Sequence, residues 1–219
     1  GQTIQVTIYE EDDAPDPFDD EIVTKSITIG SGGFGTTSWT ADWQRGDGSF
    51  PLQRYYFFYD APSGSSDSES GRLTVTDTTP PSAFGLTSPS DDVLITGTSV
   101  AFSWQSSSDA SYGSGFDDYT LQVDDNSDFT SPLIDETRLS GTSRTRTITK
   151  NGHFYWRVIA YDNNRNPRVS STTREFDRQT PRITDLSFRN GTSSSSSEIS
   201  SREAGDTVYL RVDAIGMNG

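Results

Sequence analysis

The sequence predicts an all-β protein built from tandem antiparallel β-sandwiches, and three observations lead to this fold class. Helical periodicity is almost absent from the 219 residues. Short runs of alternating apolar and polar residues, rich in aromatic and β-branched side chains, recur along the whole chain. Gly, Pro, Asp and Ser bound these runs, and short strands with turns between them are typical of antiparallel sandwiches.

The runs are predicted as strands because alternate residues of an extended chain share one face, so one half of each strand can enter a core. Five of them precede residue 78, at 3–10, 21–29, 37–43, 54–61 and 71–77. Six more lie in the middle of the chain, at 99–105, 118–125, 131–139, 144–150, 153–162 and 171–177. The last two are at 182–188 and 206–214.

The run HFYWRVIAYDNNRN at 153–166 is the richest in aromatic residues, and it is predicted as a core strand. Its inward face is predicted to hold Phe154, Trp156, Val158 and Ala160, and its outward face Tyr155, Arg157, Ile159 and Tyr161. Two other strands offer matching inward faces: Val100, Phe102 and Trp104, and Tyr119, Leu121 and Val123. Burial stabilises by about 1.5–3 kcal/mol per large side chain. The alternative is a carbohydrate-stacking platform that uses Tyr155 and Tyr161.

Two short segments, DTTPP at 77–81 and DRQTPR at 177–182, are predicted as joints between domains. Each has an Asp at the end of a strand and a Pro before the next strand. Proline fixes φ and cannot donate to a strand ladder, so it ends one sheet and stiffens the step to the next domain. The predicted linker prolines are Pro80, Pro81 and Pro181.

The joints divide the chain into three predicted domains: a sandwich at 1–77 that lacks its first strand, a complete sandwich at 78–178, and the truncated start of a third at 179–219. An internal echo supports these boundaries, because GQTIQVTIYE at 1–10 resembles GDTVYLRVDA at 205–214. This alignment predicts that the chain is a segment of a longer array of similar modules. The alternative is strand donation, in which the end strands of one copy complete a neighbouring copy.

The middle of the chain resembles a known family. Residues 82–177 resemble a fibronectin type III domain of exported bacterial and archaeal proteins, through LTSPSDD, the Trp of VAFSW, YTLQVDDNSDF and WRVIAYDNNRNP. Residues 1–77 are more loosely similar to bacterial Ig-like repeats, through GTTSWTADW, GDGSFPLQRYYFF and LTVTDTTPP. The resemblance implies Ig-like and fibronectin type III-like sandwiches. One departure is Phe154, at a position that often carries a corner tyrosine in the family.

Composition excludes several function classes. The formal charge of −15 argues against binding nucleic acid or an anionic membrane, because both need Lys and Arg clusters. The absence of cysteine excludes disulfides and thiolate chemistry. No apolar run approaches the ~20 residues of a membrane-spanning helix. Asp and Arg dominate over Glu and Lys, which fits a halophilic source or a GC-rich genome.

The acidic run EEDDAPDPFDDE at 10–21 is the strongest charge feature, with two interpretations. It could bind Ca²⁺, which takes six to eight oxygen ligands. The candidate calcium ligands are Asp12, Asp13, Asp16, Asp19 and Asp20. The run lacks the ligand spacing of an EF-hand, and its two prolines favour an extended, solvated loop. No other cofactor is predicted.

No catalytic residue is predicted, so the chain is expected not to be an enzyme. The single histidine, His153, lies in a predicted turn without a nucleophile elbow, phosphate loop or paired-His motif beside it. The acidic group Asp124, Asp125 and Asp128 is interpreted as turn chemistry. Arg45-Gly46-Asp47 matches an integrin-binding tripeptide and equally an ordinary turn.

Asn190-Gly191-Thr192 is an N-glycosylation sequon followed by SSSSS at 193–197, and both are expected at the surface. Asn190 is therefore a candidate glycosylation site.

The predicted function is that of a non-catalytic extracellular or cell-surface segment, a spacer or filament and cell-envelope building block of a larger protein. Its functional residues would be the core tryptophans Trp39, Trp43, Trp104 and Trp156 together with the linker prolines. The expected partners are neighbouring copies or adjacent domains of the same protein. The alternatives are an adhesin or carbohydrate-binding module, contacting glycans or cell-surface proteins through Tyr55, Tyr59, Tyr112 and Tyr161, or an accessory segment of a secreted hydrolase.

Overall fold

The computed structural model describes residues 1–11, 20–41, 53–60, 67–193 and 195–215. These residues form strands and contain no helix, so the predicted all-β class is confirmed. Within the same ranges, no helix is long and apolar enough to cross a membrane.

The backbone groups into two compact units, each built from several stretches of chain. The first consists of residues 1–82, 107–118 and 160–168, and the second of 83–106, 119–159 and 169–219. The domain boundaries expected near residues 77 and 178 stay predictions.

The first unit contains a five-stranded sheet. Its strands are β1 (Thr3–Glu10), β2 (Asp20–Thr28), β3 (Gln53–Tyr59), β4 (Ser68–Glu69) and β5 (Leu73–Val75). The order is β2-β1-β3-β4, with β5 also paired to β3. Hydroxyl and amide side chains form a ladder across β1 and β2 on one face, for example Thr7 with Thr24 at 3.0 Å. The other face is mainly apolar, and Ile8 on it is buried.

The segment around Trp39 departs from the predicted strand at 37–43, because residues 37–41 have no strand structure. Trp39 instead packs edge-on against Tyr55 of β3, with ring centroids 4.8 Å apart. Together with Val6, Ile8 and Phe57 it lines a shared apolar cavity on the sheet. Trp39 is thus half-buried, as a side chain that covers the sheet from an irregular segment. Trp43 lies outside the described residues.

A two-sheet sandwich follows in the chain. Its strands are β6 (Leu86–Ser88), β7 (Val93–Ile95), β8 (Ser99–Trp104), β9 (Phe116–Asp124), β10 (Ile134–Leu139), β11 (Ser143–Thr147), β12 (Gly152–Asp162), β13 (Pro167–Val169) and β14 (Arg174–Arg178). One sheet has the order β11-β8-β6 and the other β10-β9-β12-β14-β7, with β13 paired to β12. The chain changes sheets between β6 and β7, and β7 runs parallel to β14.

The interior of this sandwich confirms the predicted inward faces. Phe154, Trp156, Val158 and Ala160 are fully buried, and the predicted inward residues of β8 and β9 are buried as well. Phe102 of β8 meets Trp156 of β12 edge-on at 5.2 Å and Phe176 of β14 at 6.1 Å. Phe154 stacks on Phe176 at 5.5 Å, so the Phe154 ring packs in the core.

The last strands, β15 (Arg182–Arg189) and β16 (Tyr209–Ile215), form a two-stranded antiparallel sheet. Their apolar side chains are largely exposed, Leu210 at 65% and Leu186 at 60%. The register shifts between Ile183 and Asp185, which marks a bulge in β15.

Two leucines of the second unit test the packing. Leu121 is fully buried, whereas Leu133 is 53% exposed. We expect Leu121→Ala to lower the free energy of unfolding by about 2–5 kcal/mol, because it removes buried methyl groups and leaves a cavity. The matched variant Leu133→Ala should change it by less than about 0.5 kcal/mol. Chemical unfolding followed by tryptophan fluorescence measures both; equal losses would contradict this core assignment.

Candidate functional site

The described residues contain one buried cluster of carboxylates: Asp77, Asp109 and Asp162, one oxygen of each lying within 4.8 Å of the others. All three belong to the first unit. Asp162 is the last residue of β12, Asp77 follows β5, and Asp109 precedes β9. Asp162 is fully buried and Asp77 nearly so. Buried carboxylates of this kind are candidates for a functional site. The hydrogen-bond donors around each carboxylate determine what the cluster can do.

The Asp162 carboxylate is held by the turn that follows it, whose sequence is NNRN. Its Oδ1 accepts the backbone N–H of Asn166 at 2.8 Å, and its Oδ2 accepts Asn166 Nδ2 at 2.7 Å. Arg165, inside this turn, has a φ of 64°. A left-handed residue there lets the chain reverse tightly enough for Asn166 to reach back to Asp162.

The other two carboxylates also accept backbone N–H groups. Asp77 Oδ1 accepts Thr79 N at 2.8 Å, and Oδ2 accepts Ser114 N at 2.7 Å. Asp109 accepts the N–H groups of Ala110 and Gly115 at 2.8 and 2.6 Å. Each of the six carboxylate oxygens in the cluster therefore has a donor from the chain itself.

These environments move two pKa values in opposite directions. Burial raises the pKa of Asp162, and the nearby charges of Asp77 and Asp109 raise it further against the hydrogen bonds from Asn166. Burial also acts to raise the pKa of Asp77, but hydrogen bonds from the N–H groups of Ser114 and Thr79, together with those of the Ser114 and Asp162 side chains, lower that pKa overall. The cluster therefore separates a carboxyl that holds its proton more tightly from one that loses it readily.

The donor set defines what the cluster could bind. Carboxylate oxygens are ligands for hard cations, and Ca²⁺ takes six to eight of them. Here all six oxygens already accept N–H groups, and Asn164 and Asn166 donate to the carbonyl of Asp77 at 2.8 and 3.0 Å. These hydrogen bonds join three chain segments: the one after β5, the one before β9 and the turn after β12. The sequence alone does not predict this network; its one signal is an Asp at each of two predicted strand ends, one of them followed by an Asn-rich turn.

The predicted calcium ligands fall mostly outside the described residues. This applies to Asp12, Asp13, Asp16 and Asp19, while Asp20 is the exposed first residue of β2. Calcium binding by this set stays a prediction. Arg45, Gly46 and Asp47 also lie outside the described residues.

His153 is the second residue of β12 rather than part of a turn. Its Nδ1 lies 2.9 Å from Asp177 Oδ1 and its Nε2 lies 3.2 Å from Glu175 Oε2. The Asp177 hydrogen bond raises the pKa of His153, and Glu175 adds to the effect. Both ring nitrogens are thus engaged by carboxylates, and no serine, threonine or tyrosine hydroxyl is among these partners.

Of the remaining polar candidates, Asp124 is the buried last residue of β9, whereas Asp128 and Asn190 are exposed. Asp124 Oδ1 accepts the N–H of Asp125 at 2.7 Å, and Asp128 Oδ1 accepts that of Thr130 at 3.2 Å, as turn chemistry requires. Asn190 is exposed after the end of β15. Its glycosylation stays a prediction.

The four tyrosines considered for glycan contact do not form one exposed set. Tyr55 is fully buried, which corrects the expectation that it is exposed. Its hydroxyl donates to Gln53 at 2.8 Å. Tyr59 and Tyr161 are half-buried, and the guanidinium of Arg165 lies 4.1 Å above the ring of Tyr161. Tyr112 is 58% exposed.

No family model and no curated protein matches this sequence. Two similar solved structures are the fibronectin(III)-like modules of Clostridium thermocellum CbhA and the FN1–FN3 domains of chicken CNTN1. The first is 15% identical over 81% of this chain and 78% of that chain, with a TM-score of 0.34. The second is 13% identical over 99% and 76%, also at 0.34.

The carboxylate cluster leads to a titration test. We expect the Asp162 carboxyl to titrate above the ordinary value of 3.8 and Asp77 below it. As pH rises through the folded pKa of Asp162, its contribution to the free energy of unfolding declines, because the folded state holds that proton more tightly. Carboxyl ¹³C NMR measures both. Asp109→Asn should lower the pKa of Asp162, whereas the exposed control Asp206→Asn should not; an unmoved Asp162 would contradict the coupling.

His153 provides a second test. We expect its pKa to lie above 6.5, and Asp177→Asn to lower it more than the exposed control Glu203→Gln does. The stabilisation is present below the unfolded pKa and is lost as pH rises through the folded one. It should be small, since the side chain is 41% exposed. Imidazole ¹H NMR measures the shift, and equal effects of the two variants would refute the pairing.

Proposed function

We propose that this chain is a non-catalytic structural segment of an extracellular surface protein, acting as a spacer or envelope building block. The observation that carries the proposal is that each segment predicted as a joint contains a buried polar residue, Asp77 or Arg178, whose hydrogen bonds attach the segment to its own unit. A spacer needs such attachment, because a joint that swings freely does not set the distance between the modules it connects.

The first joint is held around Asp77. Besides the bonds of its carboxylate, its carbonyl accepts the side-chain amides of Asn164 and Asn166. Four residues on, the carbonyl of Pro81 accepts Arg168 Nε at 2.9 Å. Backbone groups at both ends of the DTTPP segment are therefore satisfied by side chains of the first unit.

The second joint is held around Arg178, which is 4% exposed. Its guanidinium donates to Thr149 O at 2.7 Å, to Thr180 Oγ1 at 2.9 Å and to Asn151 Oδ1. Asn151 Oδ1 also accepts the backbone N–H of Thr180 at 2.9 Å. A buried guanidinium satisfied mainly by neutral oxygens is a structural element, because removing it would break the hydrogen bonds that tie Thr149, Asn151 and Thr180 together.

The aromatic residues support a structural function as well. Trp104 and Trp156 are buried, and neither indole Nε1 has a hydrogen-bond partner within the described residues. Their rings therefore contribute by packing. The burial of Tyr55 removes one member of the aromatic set on which the glycan-binding alternative depends.

Two measurements test the proposal. We expect antibodies against this chain to label intact cells of the source organism, and a glycan array probed with the folded chain to give no more signal than the heat-unfolded chain. Labelling only after permeabilisation would contradict the extracellular location. Saturable binding to one class of glycan would favour the carbohydrate-binding alternative over the spacer.

A further inference from the structure

The described residues contain two Asn-Gly dipeptides, at 151–152 and at 190–191. An Asn before Gly is chemically labile, because the backbone nitrogen of the Gly can attack the side-chain amide carbon and Gly has no Cβ that crowds the approach. The five-membered ring closes only when the backbone and the side chain of the Asn rotate together. Both Asn residues are exposed. The restraint on each Asn, and not its access to water, therefore determines which of the two reacts.

Asn151 is held in place by hydrogen bonds. Its Oδ1 accepts the backbone N–H of Thr180 at 2.9 Å, the Thr180 hydroxyl at 3.0 Å and a guanidinium N–H of Arg178. Gly152 is the first residue of β12 and pairs with Arg178 of β14. Rotation of the Asn151 side chain toward the Gly152 nitrogen would break the three hydrogen bonds, and rotation of its backbone would disturb the start of a strand.

Asn190 is not held in this way. It follows the last residue of β15, and its backbone N–H donates to the carbonyl of Ser197 at 3.2 Å. Within the part of the chain that the structure describes, neither the Asn190 side chain nor the N–H of Gly191 has a hydrogen-bond partner. The amide carbon and the attacking nitrogen are therefore both available to react.

We propose that Asn190 is a site of spontaneous deamidation. The nitrogen of Gly191 forms a bond to Cγ of Asn190, the bond from Cγ to Nδ2 breaks, and the amide group leaves as ammonia with the proton that Gly191 gives up. Water then adds to either carbonyl of the resulting succinimide and opens it to aspartate or isoaspartate. Each event adds one negative charge to a chain whose formal charge is −15.

The reacting nitrogen is also the acceptor atom of the sequon Asn190-Gly191-Thr192. A chain that has lost Nδ2 of Asn190 cannot carry a glycan there, so the two modifications exclude each other. The deamidation itself requires neither glycosylation of this sequon nor the proposed spacer function.

The two dipeptides of the same chain provide the test. The chain is produced in a host without N-glycosylation and incubated at mildly alkaline pH, and mass-spectrometric peptide mapping with isoaspartate-sensitive fragmentation follows both sites. We expect Asn190 to deamidate at least about tenfold faster than Asn151, which corresponds to about 1.4 kcal/mol in the barrier. The three hydrogen bonds to Asn151 Oδ1 together are sufficient for this difference.

Unfolding the chain provides the control for this comparison. In denaturant the two rates should converge, because each Asn is followed by Gly and the restraint on Asn151 is gone. Equal rates in the folded chain, or faster reaction at Asn151, would overturn the proposal. A difference that persists unchanged in denaturant would overturn the assignment of the protection to the fold.

Two variants separate the reaction from the sequon. Gly191→Ala keeps Asn-x-Thr but places a Cβ beside the attacking nitrogen, and we expect it to slow deamidation of Asn190 several-fold. That Cβ would lie 2.9 Å from Ser196 Oγ, which a rotation of the hydroxyl relieves. Thr192→Ala removes the sequon, keeps Asn-Gly and should leave the rate unchanged. An unaltered rate in Gly191→Ala, or an equal loss of rate in both variants, would refute attack by the Gly191 nitrogen.

Discussion

The packing of aromatic rings between two sheets is the interaction on which the sandwich depends. Phe102 contributes from one sheet, and Trp156 and Phe176 from the other. Only 30% of the chain is hydrophobic, so few residues are available for burial. A thin core of large rings removes much apolar area from water per residue, and edge-on ring pairs add about 0.5–1.5 kcal/mol each beyond that area. The polar surface can therefore be extensive without loss of the fold.

The chain buries some of its carboxylates, and nearby N–H donors offset the cost. Asp162 depends on Asn166, and Asp77 on the backbone of Thr79 and Ser114. Removing a carboxylate from water is costly unless hydrogen bonds replace the lost hydration. Two further hydrogen bonds, from the side-chain amides of Asn164 and Asn166 to the carbonyl of Asp77, fix the turn after β12 to the segment after β5. The hydrogen bonds that form the turn after β12 and those that attach the predicted joint at 77–81 therefore belong to one network.

Sequence alone predicted what depends on local alternation and missed what depends on distant pairing. The inward and outward faces of β12 were predicted correctly because apolar and polar residues alternate along consecutive positions of the strand. In β3, aromatic residues occupy five consecutive positions from Tyr55, so alternation could not show that Tyr55 faces inward. The carboxylate network joins residues 89 positions apart, as Asn166 and Asp77 show. Only the fold brings such residues together.

Trp39 and the sheet of β15 and β16 illustrate how one sequence pattern leads to different outcomes. Alternating apolar residues make a strand with one side that water disfavours, but they do not specify what covers that side. In the first unit an irregular segment supplies Trp39 for this purpose, although its sequence alternates like a strand. In β15 and β16 the corresponding apolar residues, such as Leu186 and Leu210, are exposed. The strand pattern therefore shows which side of a strand is apolar, and tertiary or quaternary contacts determine what covers that side.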